Sequence, residues 1–294
     1  MIGYVFAVLS SIFLSLYVVP RKLSTQPPAY FSLFMSVGFF LGSLAMYLAQ
    51  YLLGFHEVWS FALLWAALAG VIWAAGFVTF IRSIDAVGLA RSNQWKNLQG
   101  PVGVILSLVM LGEYAKADPF FAVLAGLAVF VSAAFFSVSD SKEEARRNVR
   151  GICMAAASGV AFGSVAVINK YVTTNVGVYS QQVVWSFAML SSLSAYVFFH
   201  KSLSKGIKEV DRRNVSLGLV AGLLYLGASY FMLESYKYIP ASIGFTIIQL
   251  NAIWTISIGL FVFKEIDIRK HYVKISLGFL FSLVGIALLV FARK

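Results

Sequence analysis

The sequence predicts an all-α polytopic membrane protein: ten transmembrane helices arranged as two inverted five-helix repeats. Three observations lead there. Of 294 residues, 60% are hydrophobic and only 12% charged, with a mean hydropathy of +0.84. A soluble domain carries about 25% charge, so a soluble enzyme, a disordered chain and a disulfide scaffold are excluded. The apolar stretches are long and unbroken, unlike the alternating strands of a membrane barrel. Third, the chain aligns with itself across its two halves.

A span takes about 20 apolar residues. Ten are read, at 2–19, 30–53, 60–84, 89–111, 119–138, 151–170, 178–199, 215–238, 240–263 and 272–292. Spans three and four are joined only by Asp85-Ala86-Val87-Gly88, and spans eight and nine meet at Ile239-Pro240. Joints this short force antiparallel neighbours. The longest connections, 139–150 and 200–214, read as charged linkers. The domain plan is a first repeat over 1–138, a cytoplasmic linker over 139–150 and a second repeat over 151–294. The apolar N-terminus does not read as a cleavable signal, because Arg21 and Lys22 follow the apolar stretch rather than precede it.

The net charge of +11 would suggest nucleic acid in a soluble protein. Here it follows from membrane topology, and no nucleic-acid partner is expected. Seventeen Lys and Arg lie in or beside the connections after odd-numbered spans, against five on the opposite side. Positive loops stay in the cytoplasm, which places both termini outside, in the cytoplasmic membrane. Cys153 is alone and cannot form an internal disulfide. His56, His200 and His271 are far apart in sequence, so neither a metal site nor a cofactor is expected.

A shift of 152 pairs residues 69–113 with 221–265 without a gap. Ala69-Gly70 meets Ala221-Gly222, Trp73 meets Tyr225, Ser83 meets Ser235, and Glu113 meets Glu265. A shift of 148 pairs the first helices: Gly3 with Gly151, Ala7 with Ala155, Ser10 with Ser158, Lys22 with Lys170. Five spans per half is an odd number, so the second half enters from the other face. Inverted repeats of this kind are common in secondary transporters, with the binding site near the midplane.

Ten spans in two such halves resemble the drug/metabolite transporter superfamily. Local patterns are similar to its glucose/ribose porter branch, the bacterial sugar-uptake permeases. They are Val18-Val19-Pro20-Arg21-Lys22, Ile72-Trp73-Ala74-Ala75-Gly76, Arg82-Ser83-Ile84, Val87-Gly88-Leu89-Ala90-Arg91 and Gly112-Glu113. Two features depart from the branch. Span nine ends in Lys264-Glu265 rather than Gly-Glu, and span four is more polar and contains Lys96. The resemblance implies a secondary transporter of a small solute.

Polar groups inside a membrane are costly, so they are the best functional signal. Span four concentrates them in Ser92-Asn93-Gln94-Trp95-Lys96-Asn97-Leu98-Gln99-Gly100-Pro101. On a helix, Asn93, Asn97, Gly100 and Pro101 share one face, with Trp95 and Gln99 beside it. Amides offer donors and an acceptor, and an indole offers a flat wall, which suits a hydroxylated ring. The plain alternative is a polar staple between helices. Pro101 breaks the helix and frees a carbonyl. Span nine carries Thr246, Gln249, Asn251 and Trp254, and the 152 shift pairs Asn97 with Gln249 and Gln99 with Asn251. Trp73, Tyr225 and Tyr230 join as aromatic candidates, each also readable as packing. Gln181, Gln182 and Trp185 are weaker candidates in span seven. Lys96 has two readings: it snorkels to the surface, or it meets an anionic cargo.

The twelve acids fall mostly outside the spans. Span one offers Ser10, Ser11, Ser15 and Tyr17 but no carboxylate, unlike the proton-coupled exporters of the small multidrug type. Glu234 is a candidate coupling group, or simply a partner for Lys237. The expected function is transport rather than catalysis: alternating-access movement of a small polar solute, a monosaccharide first. An exchanger of a sugar phosphate read by Lys96, and an exporter of amino acids or drugs, are the alternatives. The expected partners are the solute, the lipid bilayer and a coupling proton or sodium ion. One chain is expected to suffice.

Overall fold

A computed structural model describes residues 1–112, 118–136, 142–239, 244 and 247–291. The described residues are helical, with no strand among them. We number the main helices by chain order. α1 is Ile2–Leu23, α2 Pro28–Leu52 and α3 Leu63–Val87. α4 comes in two pieces, α4a Leu89–Lys96 and α4b Gln99–Met110. α5 is Pro119–Phe136, α6 Lys142–Thr173, α7 Val178–Phe199 and α8 Arg212–Tyr238. α9 is Asn251–Val262, whose last five residues form a π-helix, and α10 is Ile268–Phe291. Among the described residues, eight helices are long and apolar enough to cross a membrane. The fourth and ninth expected spans are represented by shorter pieces.

Two boundaries differ from the sequence reading. α3 runs through Val87, so the joint to α4 is Gly88 alone, at φ +86°. The 139–150 linker is helical from Lys142, giving α6 32 residues. Lys-Glu-Glu-Ala-Arg-Arg is a run of good helix formers with nothing to stop it, so charge here did not mean loop. The second linker likewise holds a short helix, Lys201–Gly206.

Carboxylates close many of the helix starts, where unsatisfied N–H groups and the helix dipole favour an anion. Three caps are local. Asp118 accepts from Phe120 N at 2.9 Å, Asp211 from Asn214 N at 2.8 Å and Asp267 from Arg269 N at 3.0 Å. Two are remote. Glu57 accepts from Tyr179 N at 3.3 Å and Ser180 N at 2.7 Å at the start of α7. Glu265 accepts from Leu89 N at 2.7 Å and Ala90 N at 2.8 Å at the start of α4.

Glu265 reaches α4 through a strained residue. Lys264 has φ +50°, a left-handed conformation that costs a side-chain-bearing residue about 1–2 kcal/mol. Its partner under the 152 shift, Gly112, has φ +64° without that penalty. The Lys-Glu departure noted in the sequence is therefore a glycine position occupied by lysine. Lys264→Gly should raise the thermal midpoint of purified protein by a few degrees, corresponding to about 1 kcal/mol.

Spatially the chain forms two compact units, and neither is a sequence half. The first unit is Met1–Val78 with Ile168–Ile239; the second is Thr79–Val167 with Pro240–Lys294. In the first unit, α8 packs on α1 and α2, and α7 packs on α2. Glycines allow the closest approach. A Cβ on Gly38 would strike the Leu219 backbone, and one on Gly222 would strike Met35 O and lie 2.6 Å from Phe39 N. The Ser10 hydroxyl donates to Ala228 O at 2.8 Å, tying α1 to α8. In the second unit, α5 packs on α10 and on both pieces of α4. Gly159 and Gly163 bring α6 onto the α4 backbone. A Cβ at Gly159 would sit 2.7 Å from Lys96 O, and one at Gly163 2.9 Å from Gln99 O.

Candidate functional site

The site begins with a proline. Pro101 has no N–H and its ring excludes the carbonyl four residues back, that of Asn97. α4 stops at Lys96 and restarts at Gln99, and Asn97 O instead accepts from Gly100 N at 3.0 Å. The freed carbonyl is thus captured by a tight turn. α9 shows the same turn without a proline. Gln249 O accepts from Ala252 N, and Leu250 O from Ile253 N, both at 3.0 Å.

Between these turns lies a cavity inside the second unit. Its lining includes Gln94, Asn97 and Pro101 of α4, Gln249 and Ala252, and Ser282 of α10. It is narrow, with room for about one water molecule. Gly100 makes space for the Gln249 amide, since a Cβ there would collide with Gln249 Nε2.

Hydrogen bonds separate the amides into two kinds. Gln99 Nε2 donates to Gln249 Oε1 at 3.1 Å, which is the staple arrangement. Asn251 Nδ2 donates to Ile248 O at 2.7 Å. Gln94 Nε2 donates to Ser132 Oγ at 2.6 Å, and Ser132 donates to Gly278 O at 2.6 Å. This chain fixes the Gln94 amide and leaves its Oε1 without a partner among the described residues. Asn93 and Asn97 are 1% and 4% exposed, and neither nitrogen nor oxygen of either amide has a partner among the described residues. An unsatisfied buried polar group costs about 1–3 kcal/mol. A staple spends its hydrogen bonds on protein, whereas these groups are left unpaired among the described residues.

The other predicted residues are placed as follows. Trp95 is buried edge-on to Phe130, centroids 5.3 Å apart, in an apolar cluster with Ala133 and Ala155. It does not line the cavity. Lys96 is 2% exposed, with its ammonium 5.3 Å from the centroid of the Phe80 ring, and it too is not a lining residue. Burial at this level differs from snorkelling to a surface. Trp254 is 46% exposed. Thr246 lies outside the described residues. The sequence places Gln94 in the polar run of span four without singling it out as a site residue, and gives no indication of Ser282. The signal for Gln94 was available: positions 94, 97 and 101 follow i, i+3, i+7 along one helix face. Ser282 had no comparable signal.

Trp73 and Tyr225 are both 4% exposed, in the first unit. Their ring centroids lie 4.6 Å apart, and Trp73 stacks on Phe77 at 4.5 Å. Tyr17, Phe39 and Trp185 complete this aromatic cluster around Tyr225. Tyr230 is elsewhere in the unit, its hydroxyl 3.2 Å from that of Tyr179. Glu234 pairs with Lys237 at 2.8 Å. Asn169 accepts from Gln181 Nε2 at 3.1 Å, close to the start of α7.

Comparisons with known proteins agree with this architecture. No curated protein matches the chain. A crystal structure of a protein 14% identical superposes with a TM-score of 0.66, covering 98% of this chain and 96% of that one. At that identity the likeness speaks for the fold. A family model described as "Sugar transport protein" matches residues 37–292. A multi-pass helical membrane protein matched over most of its length in this way belongs to the sugar transport protein family.

Proposed function

We propose that the protein moves a monosaccharide across the cytoplasmic membrane by alternating access, with the unspent amides at the α4 turn binding its hydroxyls. The observation that carries this reading is the set of unpartnered Asn97 and Gln94 atoms in the cavity lining beside the Pro101 break; Asn93, also unpartnered, is not a lining residue. A hydroxyl is donor and acceptor at once. It can donate to Asn97 Oδ1 or Gln94 Oε1 while accepting from Asn97 Nδ2. The cavity has the width of one such group rather than of a ring, so one hydroxyl enters while the rest of the sugar requires the site to open. Gln249, held by Gln99, supplies the facing wall.

The proposal includes ten membrane crossings in two inverted repeats, over 1–138 and 151–294, with both termini outside. Two coincidences support the repeat. The turns at Asn97-Leu98 and Gln249-Leu250 are 152 residues apart, as are the left-handed residues Gly112 and Lys264. Seventeen against five basic residues support the orientation. One chain carries the whole site. The anionic-cargo alternative depended on Lys96, which lies over Phe80 rather than in the cavity lining.

The test is uptake of radiolabelled glucose and ribose into vesicles holding the purified protein. Asn97→Ala and Gln249→Ala should each lower uptake roughly tenfold, the worth of one or two hydrogen bonds. Uptake unchanged in both variants would remove these residues from the site. The absence of uptake of either sugar by the unaltered protein would remove the substrate reading.

A further inference from the structure

The first unit holds buried unpartnered groups of a different chemical kind. Gln182 and Trp185 stand one turn apart on α7 and are 2% and 0% exposed. Gln182 Nε2 and Trp185 Nε1 have no hydrogen-bond partner among the described residues. Both atoms are N–H donors. The acceptor end of Gln182 is already used, since Oε1 accepts from Ser229 Oγ at 3.0 Å. Ser229 lies one turn beyond Tyr225 on α8, so the amide is pinned against the helix that carries the aromatic cluster. The Trp185 ring meets Tyr225 at 5.9 Å and Phe39 at 5.7 Å, and Tyr225 leans on Trp73. The Trp185 donor therefore sits within a wall of rings, with the Gln182 donor one turn before it on α7.

What remains unsatisfied here differs from the α4 turn. There, Asn97 offers both a donor and an acceptor, which suits a hydroxyl. Here Trp185 and Gln182 offer donors only. An oxygen with lone pairs and no proton matches them, carried on a molecule with an apolar face for the rings. The ring oxygen of a pyranose or furanose meets both conditions. An anionic oxygen would need a cation beside it, and none of the residues of this cluster is cationic.

We propose that Trp185 and Gln182 form, within the first unit alone, a donor-only subsite that reads the ring oxygen of a sugar. This rests on the monosaccharide reading above. Competition of glucose and of carbaglucose, in which a methylene replaces the ring oxygen, should be measured against labelled uptake. The same pair should be run for ribose and carbaribose. The unaltered protein should favour the true sugar by roughly tenfold or more, because the analogue leaves the donors unpaired. Trp185→Phe keeps a ring and loses the N–H, and Gln182→Met keeps the length and loses the donor. Each should shrink that preference severalfold while still recognising the analogue. An equal preference in the unaltered protein and both variants overturns the proposal, even if sugar uptake is intact. So does a variant that lowers only the melting temperature, which is the outcome if the Trp185 N–H merely rests on the Phe39 face. If neither sugar is taken up, the monosaccharide reading fails first and this proposal with it.

Discussion

Glu265→Ala should lower the thermal midpoint of the detergent-purified protein by roughly 5–10 °C, corresponding to about 3 kcal/mol. One carboxylate oxygen accepts from Leu89 N and the other from Ala90 N, at 2.7 and 2.8 Å. No side chain of α4a caps its own start; Gly88 stands at that position. Removing the carboxylate strands two N–H groups at the positive end of a helix, and hydrogen bonds to a charged group are worth about 1.5–3 kcal/mol each. Glu265→Gln retains one acceptor oxygen and loses the charge, so its loss should be about half. Uptake should fall as well, because Gln94 and Asn97 lie one and two turns below this cap. A midpoint for Glu265→Ala within a degree of the unaltered protein would show that water replaces the cap at no cost.

Gly222→Val should abolish folded protein, and Gly222→Ala should destabilise it by about 3 kcal/mol or more. A Cβ at this position meets Met35 O and Phe39 N, which are backbone atoms of α2 and cannot swing aside. Relief requires α8 to move off α2 along the contact that also holds Gly38 and Gly218. Overpacking a close interface costs about 1–3 kcal/mol even where side chains can yield. Monodisperse yield after detergent extraction, followed by thermal melting, measures the effect. Normal yield and melting of Gly222→Ala would mean the two helices separate without penalty.

Both effects belong to residues whose types were plain in the sequence and whose partners were not. Asp118, Asp211 and Asp267 sit directly before the helices they cap, so their roles follow from local spacing. Glu57 and Glu265 cap helices more than a hundred residues away, and nothing in the intervening chain announces it. The 139–150 segment misled because charge was read as loop, whereas helix propensity and the lack of a breaker carried α6 back to Lys142.

The candidate site divides in the same way. Sequence alone determined that the chain is a bundle of membrane helices, that α4 concentrates the polar groups, and that Pro101 must interrupt it. Those conclusions need only composition, hydropathy and the geometry of one residue. Tertiary structure decided which amides are spent and which are free. Gln99 Nε2 donates to Gln249 Oε1, Gln94 is held by Ser132, and Asn97 is left facing a cavity. It also moved Trp95 into an apolar cluster and Trp73 with Tyr225 into the aromatic cluster of the first unit. Helical periodicity assigns each residue a face. Which neighbour covers that face depends on contacts between segments distant in the chain, and those contacts separate an amide bonded to protein from one left unpaired.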